Sequence, residues 1–507
     1  MTAILNYDIT QLFEPSLLLA IILGTFVGML IGAMPGLGPT IAMVMLIPLT
    51  YSLTPTAAVL LLLAAYQAAE YGGSISSIVL GIPGTVSAVA TVLDGNALAR
   101  KGAPGKALGY SLTASTIGGL IGGLALIFMS GPMSKLASKM SDPEYVLLAI
   151  AGLIVAATIS GKNFLKSLMS VGIGLLLSTV GVDIFTGVRR FTFGTSSLVD
   201  GLKMISLIIG FFAITEVFNI VGKDLHTVYA TADKTKGLNT HISLKELKDV
   251  ALAIVVGSVL GSFLGGVPGL GPAIATFLAY SIIKKIGKKG TVPYGEGNPL
   301  GIAAPESANN AAVGGNIMPL LVFGIPNNST IAIVMSAFIV HGVKPGPKVF
   351  VSEPDLVAGI LLGFLLTTVV MFIIGKCLTP LFAKALLVPN NLLMTIVLVI
   401  SILGTYASEK TYFSVAIAIA FGVVGFFLKK LDFSEGSIVL AFVLGPMIEE
   451  NYRRTLLVSR GSNMIFLQRP ISLALIGIMV IFFVSMIIFK IKKYKAGSSV
   501  KTASSNQ

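Results

Sequence analysis

The chain has 507 residues, of which 54% are hydrophobic and only 11% charged, whereas a soluble domain carries about 25% charged residues. With a mean hydropathy of +0.92, this excludes a water-soluble globular protein and describes one for which the bilayer is the solvent. The net charge of +13 sits in short loops between apolar runs, which reports orientation and excludes a basic nucleic-acid face.

In chain order, spans are expected at Ser16–Met34, Thr56–Ala69, Ala107–Phe128, Tyr145–Ser160, Ser167–Val182, Met204–Val221, Val250–Val267, Leu356–Leu381, Asn391–Thr405, Phe413–Leu428 and Ile471–Phe489. Each is long enough, or nearly so, to cross a hydrocarbon core of about 30 Å at about 1.5 Å per residue. No Lys or Arg precedes the first run, so it lacks the basic start of a cleaved signal and reads as a retained span. Shorter pieces, broken by Gly and Pro, lie at Ile41–Leu49, Ser74–Ile82, Ile274–Ile283, Ile317–Ile325 and Ile331–Val340. The fold class is therefore all-α and polytopic, with about 10–12 transmembrane helices plus re-entrant or broken half-helices.

The segment from Gly24 (GTFVGMLIGAMPGLGPTIA) repeats from Gly257 (GSVLGSFLGGVPGLGPAIA), matching at ten of nineteen positions. The motif Gly81-Ile82-Pro83-Gly84 likewise returns as Gly324-Ile325-Pro326-Asn327. The organisation follows: a first half over 1–222 (motif region 16–106), a polar linker over 223–246, a second half over 247–489 (motif region 247–350) and a basic tail over 490–507. Residues 1–15 hold no Lys or Arg, while the linker carries Lys223, Lys234, Lys236 and Lys245. By the positive-inside rule the halves are inverted, with the N-terminus outside and the linker and tail cytoplasmic. Lys344 and Lys348 oppose this mildly, since inversion puts their loop outside.

PGLGP places Pro35, Gly36, Gly38 and Pro39 in one half and Pro268, Gly269, Gly271 and Pro272 in the other. No continuous helix survives this composition, because each proline removes a donor and clashes one turn back while glycine admits positive φ. Unwound backbone at membrane depth must line a cavity or be buried in protein. Broken helices at matching places in two halves point to a transporter's centre; a tight surface turn is the plainer alternative. The second pair of breaks has more polar groups. Tyr71-Gly72-Gly73-Ser74-Ile75-Ser76-Ser77 leads to Ile82-Pro83-Gly84-Thr85, and Gly314-Gly315-Asn316 leads to Ile325-Pro326-Asn327-Asn328-Ser329-Thr330. Both are expected as re-entrant tips with a short helix beginning after each proline, its free N–H groups suited to an anion. Ser74, Ser76, Gly84, Thr85, Asn316, Asn327, Asn328 and Ser329 are the candidate substrate-binding residues; helix capping is the plainer role for such side chains.

The acidic residues in or beside apolar segments are Glu70, Asp94, Glu216, Glu306, Glu449 and Glu450, and an intramembrane charge is costly enough to be a functional candidate. Glu70 and Glu306 lie nearest the Gly-rich tips and are the candidates for cation coupling. Glu449 and Glu450, followed by Arg453 and Arg454, read as a surface ion-pair cluster. His226, His241 and His341 lie in the linker or a loop and offer no helical zinc pair. Cys377, the single cysteine, permits no disulfide framework and is expected in the core. No cofactor is expected beyond a coupling Na+ or H+. A membrane-embedded hydrolase would need a histidine partner within the membrane, and a channel would conduct without accumulation.

MPGLGPT, YGGSISSIVLGIPGTVSAVATVLDGNALARKGAPGKALG, APESANNAAVGGNIMPLLVFGIPN, HGVKPGP and GPMIEENYRRTLLVS, taken together and in order, resemble the large membrane subunit of the tripartite tricarboxylate transporters, the TctA family. The resemblance implies a prokaryotic inner-membrane carrier that accepts carboxylates from an extracytoplasmic binding protein and works beside a small membrane subunit. A stand-alone carboxylate carrier is the alternative. The chain departs from the family at Gly81, where Asn is usual, and at Asn327, where Gly is usual.

Overall fold

The computed structural model describes residues 2–159, 163–221, 238–267, 271–287, 292–385, 389–481 and 484. Among them the chain is helical almost throughout, with one two-stranded antiparallel ribbon pairing Gly181–Val182 with Arg189–Arg190. Eight helices are long and apolar enough to cross a membrane: Pro15–Gly32, Pro55–Leu80, Pro104–Ala137, Met204–Val221, Leu244–Gly266, Pro354–Lys384, Asn391–Glu409 and Tyr412–Lys430. Shorter apolar helices lie at Gly38–Thr50, Phe164–Ser178, Ser329–Val340 and Pro470–Ile481. The remainder of the expected last span, most of the linker and the basic tail lie outside the described residues.

The described residues fall into two units. The larger is drawn from Met1–Ser138 with Gly152–Gly445, the smaller from Lys139–Ala151 with Pro446–Gln507. In the smaller, the buried Glu144 accepts from Arg469 Nε at 2.7 Å and Ser472 Oγ at 2.5 Å. The expected Glu-Arg cluster is formed there by Glu449 with Arg453 at 2.8 Å and by Glu450 with Arg454.

The larger unit is built on two equivalent helix pairs. Pro15–Gly32 lies against Pro55–Leu80, and Leu244–Gly266 against Pro299–Phe323. A Cβ added at Gly24, Gly28 or Gly32 would meet the carbonyl oxygens of Leu61, Ala65 and Ala69 at 2.2–2.3 Å; one at Gly257, Gly261 or Gly265 would meet those of Ala304, Ala308 and Ala312 at 2.2–2.3 Å. The glycine stripe that matches between the halves is thus a seam of backbone contact, formed once in each half as small-residue membrane interfaces are.

The two long inner helices then meet one another. Ser74 bonds Glu306, Asn309 bonds the Glu70 carbonyl, and Asn316 bonds Tyr66. Positions fall along the first helix as they rise along the second, so the two equivalent helices pass antiparallel, the relation that inverted halves require. Pro299–Phe323 has no span expected at its place beyond Ile317–Ile325. Its Pro305, Glu306, Asn309, Asn310 and Asn316 depress its hydropathy, which the fold tolerates by burying the helix in protein.

The Gly-rich strings do not break these helices. Pro55–Leu80 runs unbroken through Tyr71–Ser77, and Pro299–Phe323 through Gly314-Gly315-Asn316. Their glycines serve close packing: a Cβ at Gly72 would lie 2.6 Å from Met29 O, and one at Gly315 would lie 2.5 Å from Ser262 O. Each helix ends instead at a left-handed glycine, Gly81 with φ 75° and Gly324 with φ 71°, the conformation glycine adopts at no steric cost. The helix expected directly after Pro83 begins only at Val89, whereas its counterpart after Pro326 begins at Ser329. Cys377, expected in the core, is exposed, because Met371, Thr379 and Phe382 take the buried side of its helix.

Candidate functional site

The first PGLGP interrupts the chain between Pro15–Gly32 and Gly38–Thr50. Pro35 and Gly36 form the turn, with Gly36 at φ 87°, and Gly38 (φ 66°) and Pro39 open the next helix. In the second copy Gly271 (φ 56°) and Pro272 open Gly271–Ile286, while Pro268 and Gly269 lie outside the described residues. The breaks converge. Thr40, next to the first PGLGP, shares a hydroxyl hydrogen bond of 3.1 Å with Thr330 at the second Ile-Pro tip. Asn327 Nδ2 donates to Gly265 O at 2.7 Å, and the Gly84 Cα packs so tightly on Gly32 that a Cβ would lie 2.3 Å from its carbonyl. Each Ile-Pro tip therefore closes on the last turn of the helix leading into PGLGP of its own half.

Between the long helices lies a buried polar layer with two carboxylates. Glu306 is fully buried. Its Oε1 accepts from Ser74 Oγ at 2.6 Å and from Thr91 Oγ1, and its Oε2 accepts from Ser111 Oγ at 2.8 Å and Ser115 Oγ at 2.9 Å. Ser111 and Ser115 stand four apart on Pro104–Ala137 and so share one face. Glu70, 4% exposed, accepts from Ser87 Oγ, with the side chains of Thr85 and Asn309 beside its carboxyl group. Among the described residues neither carboxylate has a lysine or arginine within ion-pair distance; the partners are hydroxyls and amides. A buried charge left without an opposite charge is expensive, so such groups are suited to taking up a proton or a metal cation.

Beside them Asn316 Nδ2 donates to Tyr66 Oη at 2.8 Å, and Asn327 Nδ2 donates to Asn316 Oδ1 at 3.0 Å. Two amide oxygens of residues in this layer, Asn309 Oδ1 and Asn327 Oδ1, are buried with no partner among the described residues, as are both polar atoms of Asn310 next in sequence to Asn309. Buried polar groups are nearly always satisfied, and the free acceptor of Asn309, whose side chain stands beside the Glu70 carboxyl group, suits a cation or a donor-rich ligand.

Of the sequence candidates, the fold brings together Glu70, Glu306, Ser74, Thr85, Asn316 and Asn327. Ser76 Oγ instead donates to Gly73 O at 3.2 Å within its own helix, and Asn328 Oδ1 caps Ile331 N at 2.9 Å. Ser329 opens the following helix, half-buried. Thr91, Ser111 and Ser115 complete the polar layer and were not among the sequence candidates; the four-residue spacing of the two serines in an apolar helix was the available signal.

Asp94 has a different task. Its Oδ1 accepts from the backbone N–H groups of Gly295, Gly297 and Asn298 at 2.9, 2.9 and 2.7 Å, and its Oδ2 accepts from Tyr280 Oη at 2.9 Å. Gly295 (φ 90°) and Gly297 (φ 100°) turn those amides to one side, making an anion-holding nest. Asp94 thereby latches a short helix of the first half to the turn that leads into Pro299–Phe323. Glu216 pairs with Lys429 at 2.6 Å, and His341 Nε2 lies 3.0 Å from Thr50 O.

No solved structure matches the chain. Two proteins of Agrobacterium vitis are similar to it. One, described as "Uncharacterized 52.8 kDa protein in TAR-I ttuC' 3'region", is 34% identical over 459 residues, which cover 90% of each chain. The other, described as "Uncharacterized protein in TAR-II ttuC' 3'region", is 35% identical over 211 residues, or 42% of this chain and 87% of the relative. The model of the tripartite tricarboxylate transporter TctA family matches residues 18–440. With that match spanning most of its length, and with broken helices from both halves meeting around a buried polar layer, this multi-pass membrane protein belongs to the TctA family of transporters.

Proposed function

We propose that the chain is the large membrane subunit of a tripartite carrier that imports small di- or tricarboxylates together with cations. The observation that carries this reading is the pair of buried carboxylates, Glu70 and Glu306, held by hydroxyls and amides where the two halves meet. Substrate carboxylate groups are held by the N–H groups and side chains around Ser74–Thr85 and Asn316–Thr330. Coupling cations, Na+ or H+, are taken by Glu70 or Glu306 and by the unwound backbone of the first PGLGP at Pro35, Gly36 and Leu37. Energetics sets the stoichiometry: each uncompensated negative charge moved inward against an inside-negative potential costs about 2.3 kcal/mol per 100 mV, so at least as many cations enter as substrate charges. The partners are a small membrane subunit and an extracytoplasmic binding protein. The setting is a prokaryotic inner membrane, with the N-terminus outside and the C-terminus in the cytoplasm.

The test is uptake into proteoliposomes of labelled mono-, di- and tricarboxylates, with Na+ and H+ gradients imposed separately and the binding protein added or omitted. Saturable, gradient-driven accumulation of one carboxylate class is expected. Passive equilibration of all of them would refute the carrier, and full activity without a binding protein would refute tripartite operation.

A further inference from the structure

Three apolar helices, Met204–Val221, Asn390–Glu409 and Tyr412–Lys430, turn into polar loops around a cavity of about 260 Å³. Because all three are candidate spans, the cavity lies where the chain leaves hydrocarbon for water, at the level of lipid headgroups. Its volume equals that of roughly nine waters at about 30 Å³ each, far more than one ion needs. The wall carries both signs of charge: Asp200 and Glu409 against Lys203, whose Nζ lies 3.8 Å from Asp200 Oδ2. Leu202 and Phe413 supply apolar surface, and Thr411 and Ser414 line the cavity as well.

We propose that this cavity binds the headgroup of an aminophospholipid, a phosphodiester carrying a primary ammonium. The phosphate meets Lys203, the ammonium lies between Asp200 and Glu409, and the glycerol end rests on Leu202 and Phe413. A free carboxylate fits poorly, since two carboxylates face it across one ammonium. The assignment is independent of the transport reading.

The experiment is native mass spectrometry of the purified full-length chain titrated with phosphatidylethanolamine, phosphatidylcholine and phosphatidylglycerol of identical acyl chains. Phosphatidylethanolamine is expected to bind about tenfold more tightly than either of the others, the scale of one charge-assisted hydrogen bond lost. Glu409→Gln and Asp200→Asn should each remove most of that preference. Equal binding of the three lipids by the unmodified chain overturns the proposal whatever the variants do. So does an undiminished preference in Asp200→Asn, an exposed position where substitution leaves the fold intact.

Discussion

Ser74 Oγ donates to Glu306 Oε1 at 2.6 Å across 232 residues of chain, joining the long inner helix of one half to that of the other. With Thr91, Ser111 and Ser115 on the same carboxylate, Glu306 ties three helices of the first half to one of the second. Glu306→Gln keeps the shape but replaces one acceptor oxygen by a donor that faces hydroxyls. It should abolish cation-driven uptake and lower stability by roughly 1–3 kcal/mol, measured by transport assay and by thermal unfolding in detergent. Ser74→Ala removes one donor of four and should cost about 1 kcal/mol.

Asp94 offers a sharper contrast between two substitutions. Asparagine keeps an acceptor for the three amides, whereas alanine leaves the buried N–H groups of Gly297 and Asn298 unpaired, at on the order of 1–3 kcal/mol for each donor left unsatisfied. Asp94→Ala should therefore lower the unfolding temperature well below that of Asp94→Asn. Equal losses would show that the amides find other partners and that the latch is not what holds the turn.

The glycine seam predicts a position-specific penalty. Gly28→Ala or Gly261→Ala drives a methyl group to within 2.3 or 2.2 Å of a helix carbonyl, and forced overpacking of this kind costs typically about 1–3 kcal/mol. Gly172, within Phe164–Ser178, meets nothing within 4 Å, so Gly172→Ala should instead gain about 0.5–1 kcal/mol from helix propensity. Thermal unfolding of the three variants separates the two cases by sign.

Glu435, at the start of a helix outside the eight candidate spans, shares Lys429 with Glu216, at 3.7 Å and 2.6 Å. Burial pushes its carboxyl from an ordinary 4.5 up to about 7, with Lys429 opposing the rise and Glu216 adding to it. Between those two values the folded chain holds a proton that the unfolded chain has released, so stability falls as pH rises across that window. Unfolding temperatures measured from pH 4.5 to 7 should show this decline, and Glu435→Gln should make it shallower.

The legible part of this fold was written in local chemistry. Paired prolines and glycines at Pro35–Pro39 announced a broken helix, and the Gly24, Gly28 and Gly32 stripe with its copy announced two equivalent halves. Gly72-Gly73 misled because glycine has two uses: it permits a bend, and it permits backbone to approach backbone, and one sequence does not distinguish them. The partners of Glu306 were illegible for another reason. Thr91, Ser111 and Ser115 come from 191–215 residues away, and a serine inside an apolar helix looks the same whether it bonds a distant carboxylate or the carbonyl one turn back. Asp94 stood out as an acidic residue, but only the turns at Gly295 and Gly297 reveal that its charge is spent on backbone amides.

The most direct test of the polar layer as the transport site is the uptake kinetics of Asn327→Ala and Glu70→Gln in proteoliposomes under an imposed cation gradient, each variant first shown to unfold at a temperature near that of the unmodified chain. A raised KM for carboxylate in Asn327→Ala and loss of gradient-driven accumulation in Glu70→Gln are predicted. Unchanged kinetics and accumulation in both folded variants would place substrate and cation elsewhere in the molecule.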